Sequence, residues 1–567
     1  MSDSVGARAA LVGRTGGQVL VDQLLIHGVD HIFGVPGESY LAALDALRDA
    51  RNAIKFVICR QEGGAAYMAD AYGKLTGKPG VCFVTRGPGA TNASVGVHTA
   101  FQDSTPMVIL VGQVAREQEE REAFQEIDYR RMFGPLTKWV AQIEDARRIP
   151  ELVSQAFHRA MSGRPGPVLL SLPEDMLAEM VEVADARPFK TVRPAPAPED
   201  MDKLRSMLAA AKRPLALLGG GGWDKAACED IRAFVEANHL PVACAFRNAD
   251  LIDNRHPNYV GDLGLGAQPE LLKLIRETDL VLAIGPRLGE ITSGGYSLFD
   301  IPVPKQPLVH VHAGADELGR VYEADLMINS GMAAFARAAR AMAPVKDPVW
   351  AGGVAAINAG YRANIVPTGS VGDVDLGAIV AWLNTRLPDD AIVSNGAGNY
   401  AGWVHRFFQY RGIRTQLAPT NGSMGYGVPA GVSAKIVAPE RVVVAFAGDG
   451  CFLMNGQEFA TAMQYGANFV VVVVDNGQYG TIRMHQEREY GGDRDHGVEL
   501  RNPDFAAYAR AFGGHGETVL KTAEFAPAFE RCLASRTAAI IHVKTSLEQI
   551  TSRVTIAKMR EAHAKKG

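Results

Sequence analysis

Short apolar runs that end in glycine recur along the chain, and they narrow its fold more than any other feature. Val81–Thr85 leads into Arg86-Gly87-Pro88-Gly89, Leu215–Leu218 into Gly219–Gly222, and Val442–Ala447 into Gly448-Asp449-Gly450. Each is followed by an amphipathic stretch. A run without polar alternation is buried on both faces, as strands of a helix-covered parallel sheet are. Met107–Val111, Leu280–Ile284, Leu308–His312 and Phe469–Val474 read as further central strands. The pattern predicts an α/β protein of doubly wound parallel sheets, whose ligands gather at the carboxyl ends of the strands, where these glycines lie.

Two segments read as linkers: Arg193-Pro-Ala-Pro-Ala-Pro-Glu199, extended by its prolines, and the looser Ala343–Asp373. They divide the chain into α/β blocks at 12–185, 200–342 and 372–550, with a basic tail, 551–567, expected to be a surface helix or extension. Lys and Arg number 58 against 62 Asp and Glu, so no global basic field exists for nucleic acid or an anionic membrane. No apolar run reaches the ~18–20 residues of a membrane-spanning helix, and the polar Met1–Gly16 lacks a signal-like stretch. The six cysteines form no CxxC pair, which suits a reducing cytoplasm. A large cytoplasmic enzyme with a small-molecule substrate is the class these features leave.

The strongest chemical signal lies in the third block. Asp449, within Gly448-Asp449-Gly450, and Asn476, within Asp475-Asn476-Gly477, each follow a predicted strand. A carboxylate and an amide oxygen at neighbouring strand ends can hold a hard divalent ion such as Mg²⁺ while leaving room for phosphate oxygens. The glycines let backbone N–H groups approach a diphosphate, and a helix expected to open near Asn455 would add its dipole. The bland alternative is two ordinary strand-to-helix turns.

This arrangement resembles the signature of thiamine diphosphate enzymes, which have a pyrimidine-binding domain, a central Rossmann-like domain and a diphosphate-binding domain in that order. Two further segments carry the resemblance: Arg60-Gln61-Glu62-Gly63-Gly64-Ala65-Ala66 and Asn421-Gly422-Ser423-Met424-Gly425-Tyr426-Gly427. It implies that Asp449, Asn476 and the Gln478 carbonyl ligate Mg²⁺, and that Gly448, Gly450 and Cys451 border the diphosphate. Glu62 would hydrogen-bond the cofactor's pyrimidine N1′, Met424 would wedge between its rings, and the Gly422 carbonyl would accept from its amino group. In that family the glutamate and the metal ligands meet across a subunit interface, so the implied assembly is a homodimer at least, with a homotetramer expected.

Within the family the chain is most similar to the acetolactate (acetohydroxyacid) synthase branch, through Phe33–Glu38, Thr85–Asn92, Asp103-Ser104-Thr105-Pro106, Gly112-Gln113-Val114, Ala123-Phe124-Gln125-Glu126 and Leu136–Trp139. The resemblance places Pro36 and Gly37 at the cofactor, Gln113 and Phe124 on the substrate side, and Gln125 among the catalytic residues. Asn399 and Tyr400 stand where the branch has a Gln-His pair on the diphosphate. Arg287 keeps the first arginine of a motif beside FAD, suited to an acceptor carboxylate. The rest reads Leu288-Gly289-Glu290-Ile291, which leaves FAD in doubt, and Gly219–Gly222 is as readily a tight turn as a dinucleotide cradle. His485 replaces the branch's acceptor-selecting tryptophan and could donate to a substrate carbonyl or move a proton; a hydrogen-bonded loop histidine is the alternative. His98, His310 and His312 read as structural.

The expected activity is a carboligase that decarboxylates a 2-oxo acid such as pyruvate and adds the enamine to a second carbonyl compound. The competing expectation is a decarboxylase or a C–C lyase of the 2-hydroxyacyl-CoA lyase or oxalyl-CoA decarboxylase type.

Overall fold

The computed structural model describes residues 13–492 and 494–565. The block start at residue 12, most of Met1–Gly16, and the end of the tail at Lys566 and Gly567 lie outside these residues.

Among the described residues, three six-stranded parallel sheets form the framework, beside a two-stranded antiparallel pair of Arg14–Thr15 with Met180–Val181. The first uses β1 (His31–Gly34), β2 (Lys55–Ile58), β3 (Gly80–Val84), β4 (Met107–Gln113), β5 (Trp139–Gln142) and β6 (Pro167–Pro173), in the order β2-β1-β3-β4-β6-β5. The central sheet uses β7 (Pro214–Leu218), β8 (Val242–Ala245), β9 (Tyr259–Leu263), β10 (Leu280–Ile284), β11 (Leu308–His312) and β12 (Leu326–Asn329). Its order, β9-β8-β7-β10-β11-β12, is that of a dinucleotide-binding sheet. The third has β13 (Ile392–Asn395), β14 (Gln416–Leu417), β15 (Val443–Gly448), β16 (Val470–Asp475), β17 (His515–Val519) and β18 (Ala539–Lys544), ordered β14-β13-β15-β16-β18-β17. Rank for rank this repeats the first sheet. Among the described residues no helix is long and apolar enough to cross a membrane.

The unalternating runs behave as expected: every residue of β4 and β16 is buried. Packing on one face of the first and third sheets is shared. Helix α1 (Glu62–Thr76) and helix α2 (Pro88–Asp103) meet through small residues, since a Cβ on Gly96 would stand 2.4 Å from that of Ala66. Tyr67 and Met68 of α1 belong to one buried cluster with Tyr426, Ala430 and Phe459 of the third domain. Each fully buried side chain of this size stabilises by about 1.5–3 kcal/mol, so the first and third domains share a core.

Two expectations need correction. The stretch Ala343–Asp373 is loose only at its ends: its middle is helix α3 (Ala351–Asn364), which packs Val354 and Tyr361 with Trp350 into the central core. The Asn358 side chain donates to the Tyr259 carbonyl at 2.7 Å. The helix near Asn455 begins at Asp449 and ends there: α4 spans Asp449–Asn455, so its first-turn amides lie at the Gly-Asp-Gly motif itself. Further on, α5 (Gly480–Tyr490) and α6 (Ile556–Ala564) are clamped together. Buried Glu487 of α5 accepts from Arg483 at 2.9 Å and from Arg560 of α6 at 2.8 Å. The tail thus lies against the helix that carries His485.

Candidate active site

A cavity of about 230 Å³ opens at the carboxyl ends of β13, β15 and β16. Its walls include Asn399 and Tyr400 after β13, Gly422 and Met424 after β14, Gly448 to Cys451 after β15, and Asn476 and Gln478 after β16. The structure therefore brings together all ten third-block residues that the sequence assigned to cofactor and metal. Thr545 to Ile550, after β18, close one side through Thr545, Ser546, Gln549 and Ile550.

Asp449 is 3% exposed. One carboxylate oxygen accepts from the Gly450 N–H at 2.9 Å; the other accepts from Gly477 N–H at 2.9 Å and from Asn502 Nδ2 at 2.7 Å. The same Asn502 nitrogen donates to Asp475 at 2.9 Å. Burial pushes the Asp449 carboxyl up to about 6, with the charge of Asp475 adding to it. Burial also opposes the charge of Asp475, but His542 at 2.7 Å and Lys544 at 2.6 Å outweigh it and hold that carboxyl below its usual range. Among the described residues Asn476 Oδ1 accepts only the Gln478 N–H, at 3.2 Å, and the Gln478 carbonyl accepts from Gly480 at 2.8 Å, leaving each a lone pair for a ligand. Gln478 Oε1 is buried without a partner among the described residues.

Hard oxygen acceptors thus converge beside a carboxylate that burial disfavours as an anion, and this donor set fits Mg²⁺. Among the described residues no cluster of three His, Cys, Asp or Glu forms a conventional site, so an ion here would rely on amide and carbonyl oxygens. Gly448 has to be small, because a Cβ there would lie 2.9 Å from the Tyr400 ring, and it lines the cavity. The Tyr400 hydroxyl accepts from the Gly396 N–H at 3.0 Å and meets Cys451 Sγ at 3.3 Å. Asn399 is engaged as well: Nδ2 donates to the Ile550 carbonyl at 2.9 Å, and Oδ1 accepts from Thr481 at 3.0 Å.

A second, larger cavity of about 970 Å³ lies among the three domains and shares Ala397, Gly398, Asn399, Gly422 and Thr481 with the first. Arg287 and His485 line it. Arg287 pairs with Glu317 at 3.4 Å, and His485 sits on α5 rather than in a loop, with Nδ1 accepting from Arg488 at 2.6 Å. Gly220, at φ +69°, borders this space, but a Cβ on it would stand 2.0 Å from the Gly285 carbonyl, so close backbone approach accounts for that glycine.

The remaining assignments gather elsewhere, at the strand ends of the first sheet, and line neither cavity. Glu62 opens α1 and accepts from Asn92 at 2.9 Å. A Cβ on Gly89 would lie 3.3 Å from its carboxylate, one on Gly37 would strike Thr85, and one on Gly87 would strike Gln125. Exposed Pro36 precedes Gly37, and Arg86 donates to the Phe124 carbonyl at 3.2 Å. Phe124 itself is 72% exposed. Gln113 is set apart: it is buried, with its amide spent on the Ile127 carbonyl and the Val114 N–H, so it braces a loop. The sequence reading missed Asn502, Asp475 and the Thr545–Ile550 wall. Asp475 stood beside Asn476 in the motif, whereas Asn502-Pro503-Asp504 reads only as a helix start.

A fold of two like-ordered sheets flanking a dinucleotide-type sheet, with oxygen acceptors gathered at a Gly-Asp-Gly turn on a strand-end cavity, defines a cofactor-dependent enzyme of diphosphate-binding type. The chain belongs to the thiamine pyrophosphate enzyme family: models of that family's N-terminal TPP binding domain, central domain and C-terminal TPP binding domain match residues 14–132, 201–339 and 396–543. It is similar to the acetolactate synthase isozyme 2 large subunit of Escherichia coli (strain K12), 30% identical over 532 residues, 93% of this chain and 95% of that one. It is also similar to the acetolactate synthase large subunits of Parasynechococcus marenigrum (strain WH8102), 33% identical over 519 residues (88% and 83% of the two chains), and of Lactococcus lactis subsp. lactis (strain IL1403), 30% over 507 residues (88% and 87%).

Proposed function

We propose that the chain is a Mg²⁺-dependent thiamine diphosphate carboligase that decarboxylates a 2-oxo acid, pyruvate first among them, and joins the remaining carbons to a second carbonyl compound. The observation that carries this reading is the convergence of Asp449, Asn476, Gln478, Gly422 and Met424 on one cavity, in a chain similar along most of its length to acetolactate synthases. Bound thiamine diphosphate supplies a thiazolium carbon that loses a proton and becomes the nucleophile. The protein's part is to hold and orient. Asp449, Asn476 and the Gln478 carbonyl hold Mg²⁺, while the Gly448 and Gly450 backbone, with Tyr400 and Cys451 behind it, receives diphosphate oxygens. Met424 and the Gly422 carbonyl shape the space for the rings, and Glu62 holds a proton at the pyrimidine N1′.

Glu62, Pro36, Gly37, Phe124 and Gln125 form a half-site on the first domain, and the cavity forms the other half on the third. A homodimer that sets the first-domain patch of one copy against the third-domain cavity of another completes both, and a homotetramer would pair two such dimers. Six free thiols fit a cytoplasmic setting.

A second reading, decarboxylase or lyase acting on a coenzyme A thioester, draws on the larger cavity. Arg406 and Arg553 line it and hold carbonyl and amide oxygens, not carboxylates, which leaves positive charge for phosphates. Proton NMR of products formed from pyruvate with Mg²⁺ and thiamine diphosphate, without flavin, separates the readings. Acetolactate is expected and would make FAD dispensable. Acetaldehyde alone would mean a decarboxylase, and untouched pyruvate would reject pyruvate as donor and direct the assay to acyl-CoA substrates.

A further inference from the structure

Gly422 and Met424 belong to residues 418–426, a connection between β14 and a helix at Gly427–Val437 that has no regular structure of its own. Such a segment holds its shape only through side chains that reach it from outside. Here they come from the first domain. Asp103, the last residue of α2, has a side chain 1% exposed. One of its oxygens accepts from the Thr420 N–H at 2.7 Å and from the Thr420 hydroxyl, and the other accepts from Lys74. Lys74 also donates to the Ala418 carbonyl at 3.0 Å and pairs with Asp70 at 2.9 Å, and Asp70 accepts from the Tyr426 hydroxyl at 2.7 Å. The start, the middle and the end of the segment are therefore tied to one buried cluster.

A buried carboxylate persists only when its charge is paired and its lone pairs are used; one Asp103 oxygen pairs with Lys74 inside the first domain, and the other reaches Thr420 across the domain boundary. It opens the Asp103-Ser104-Thr105-Pro106 motif, to which the cofactor site assigns nothing. We propose that Asp103, acting with Lys74 through Thr420, is a positioning residue that sets Gly422 and Met424 against the Asp449 wall of the cavity. The proposal rests on the reading of that cavity as the cofactor site.

The test uses the full chain and two measurements: binding of thiamine diphosphate with Mg²⁺, followed by quenching of tryptophan fluorescence (Trp403 lines the cavity), and amide hydrogen exchange without cofactor. Thr420→Val removes one hydroxyl from the cluster, and Asp103→Asn turns one acceptor oxygen into a donor facing Lys74. Each is expected to weaken cofactor binding roughly tenfold, the scale of one charge-assisted hydrogen bond, and to speed exchange across 418–426 by a similar factor. Strand β4 should keep its protection, and Thr420→Ser should restore both properties. Wild-type affinity and exchange in Thr420→Val would overturn the proposal, as would a loss that serine does not restore or that extends equally to β4. If the wild-type protein does not bind the cofactor, the reading of the cavity fails, and exchange at 418–426 alone decides whether Asp103 holds the segment. If Asp103→Asn does not fold, Thr420→Val decides.

Discussion

Replacing Asn502 by alanine removes one side-chain amide nitrogen that two carboxylates share. It stands 2.7 Å from Asp449 and 2.9 Å from Asp475. A hydrogen bond to a charged group contributes about 1.5–3 kcal/mol, but Asp449 keeps its Gly450 and Gly477 N–H donors, so the loss at the metal site should be near the lower end. Loss of a group that orients a metal ligand weakens metal binding by roughly 10–100-fold, or about 1.4–2.8 kcal/mol, which agrees with that figure. Asn502→Ala is therefore expected to raise the Kd for Mg²⁺ by at least about tenfold. Calorimetric titration of Mg²⁺ into protein saturated with thiamine diphosphate measures this directly. A Kd within about twofold of wild type would show that the two glycine amides alone orient Asp449, and would refute the argument.

Three further outcomes follow from the same geometry. Glu62→Gln should lower turnover by two orders of magnitude or so while Mg²⁺ and cofactor still bind, and unchanged steady-state turnover would remove Glu62 from the N1′ role. Burial pushes the Asp262 carboxyl up from 3.8 to about 7, so the folded protein holds a proton there that the unfolded chain releases, and stability falls as pH rises between these values. Asp262→Asn, neutral at every pH, should gain in melting temperature over wild type at pH 8 and show little gain at pH 4; parallel melting curves at the two pH values would contradict this. His485→Trp puts a flat apolar surface into the larger cavity and should shift products toward those of 2-oxo-acid acceptors, and an unaltered NMR product profile would place His485 outside the acceptor site.

How much of this was legible in the sequence depended on what enforced each element. Strand β10 begins and ends where its apolar run does, because burial on both faces disfavours a polar residue, while β11 tolerates His310 and His312 because each ring meets a backbone carbonyl. Asp449 and Asn476 stood out because each lies at the end of a predicted strand beside a glycine, and the two occur together; either alone reads as an ordinary turn. Asn502 was not, since nothing local separates an asparagine that serves two distant carboxylates from one that begins a helix. Helix α3 was hidden by its own glycines, at 352, 353 and 360, which lower its intrinsic propensity; it forms because Val354 and Tyr361 are buried against the central sheet. The shared strand order of the first and third sheets left no mark either, because topology is set by which edges meet and not by any sequence period.

The helical connection has a mechanical consequence. Asn364, where α3 ends, is gripped twice, by Arg406 of the third domain at 2.9 Å and by Arg553 of the tail at 2.8 Å. A slack tether would let the central and third domains melt separately and would offer a protease its first cut. The anchored helix end joins them into one cooperative unit, so the two should lose structure in a single transition, and a protease's first cut in this connection should fall beyond the anchor, in the irregular and largely exposed 366–373.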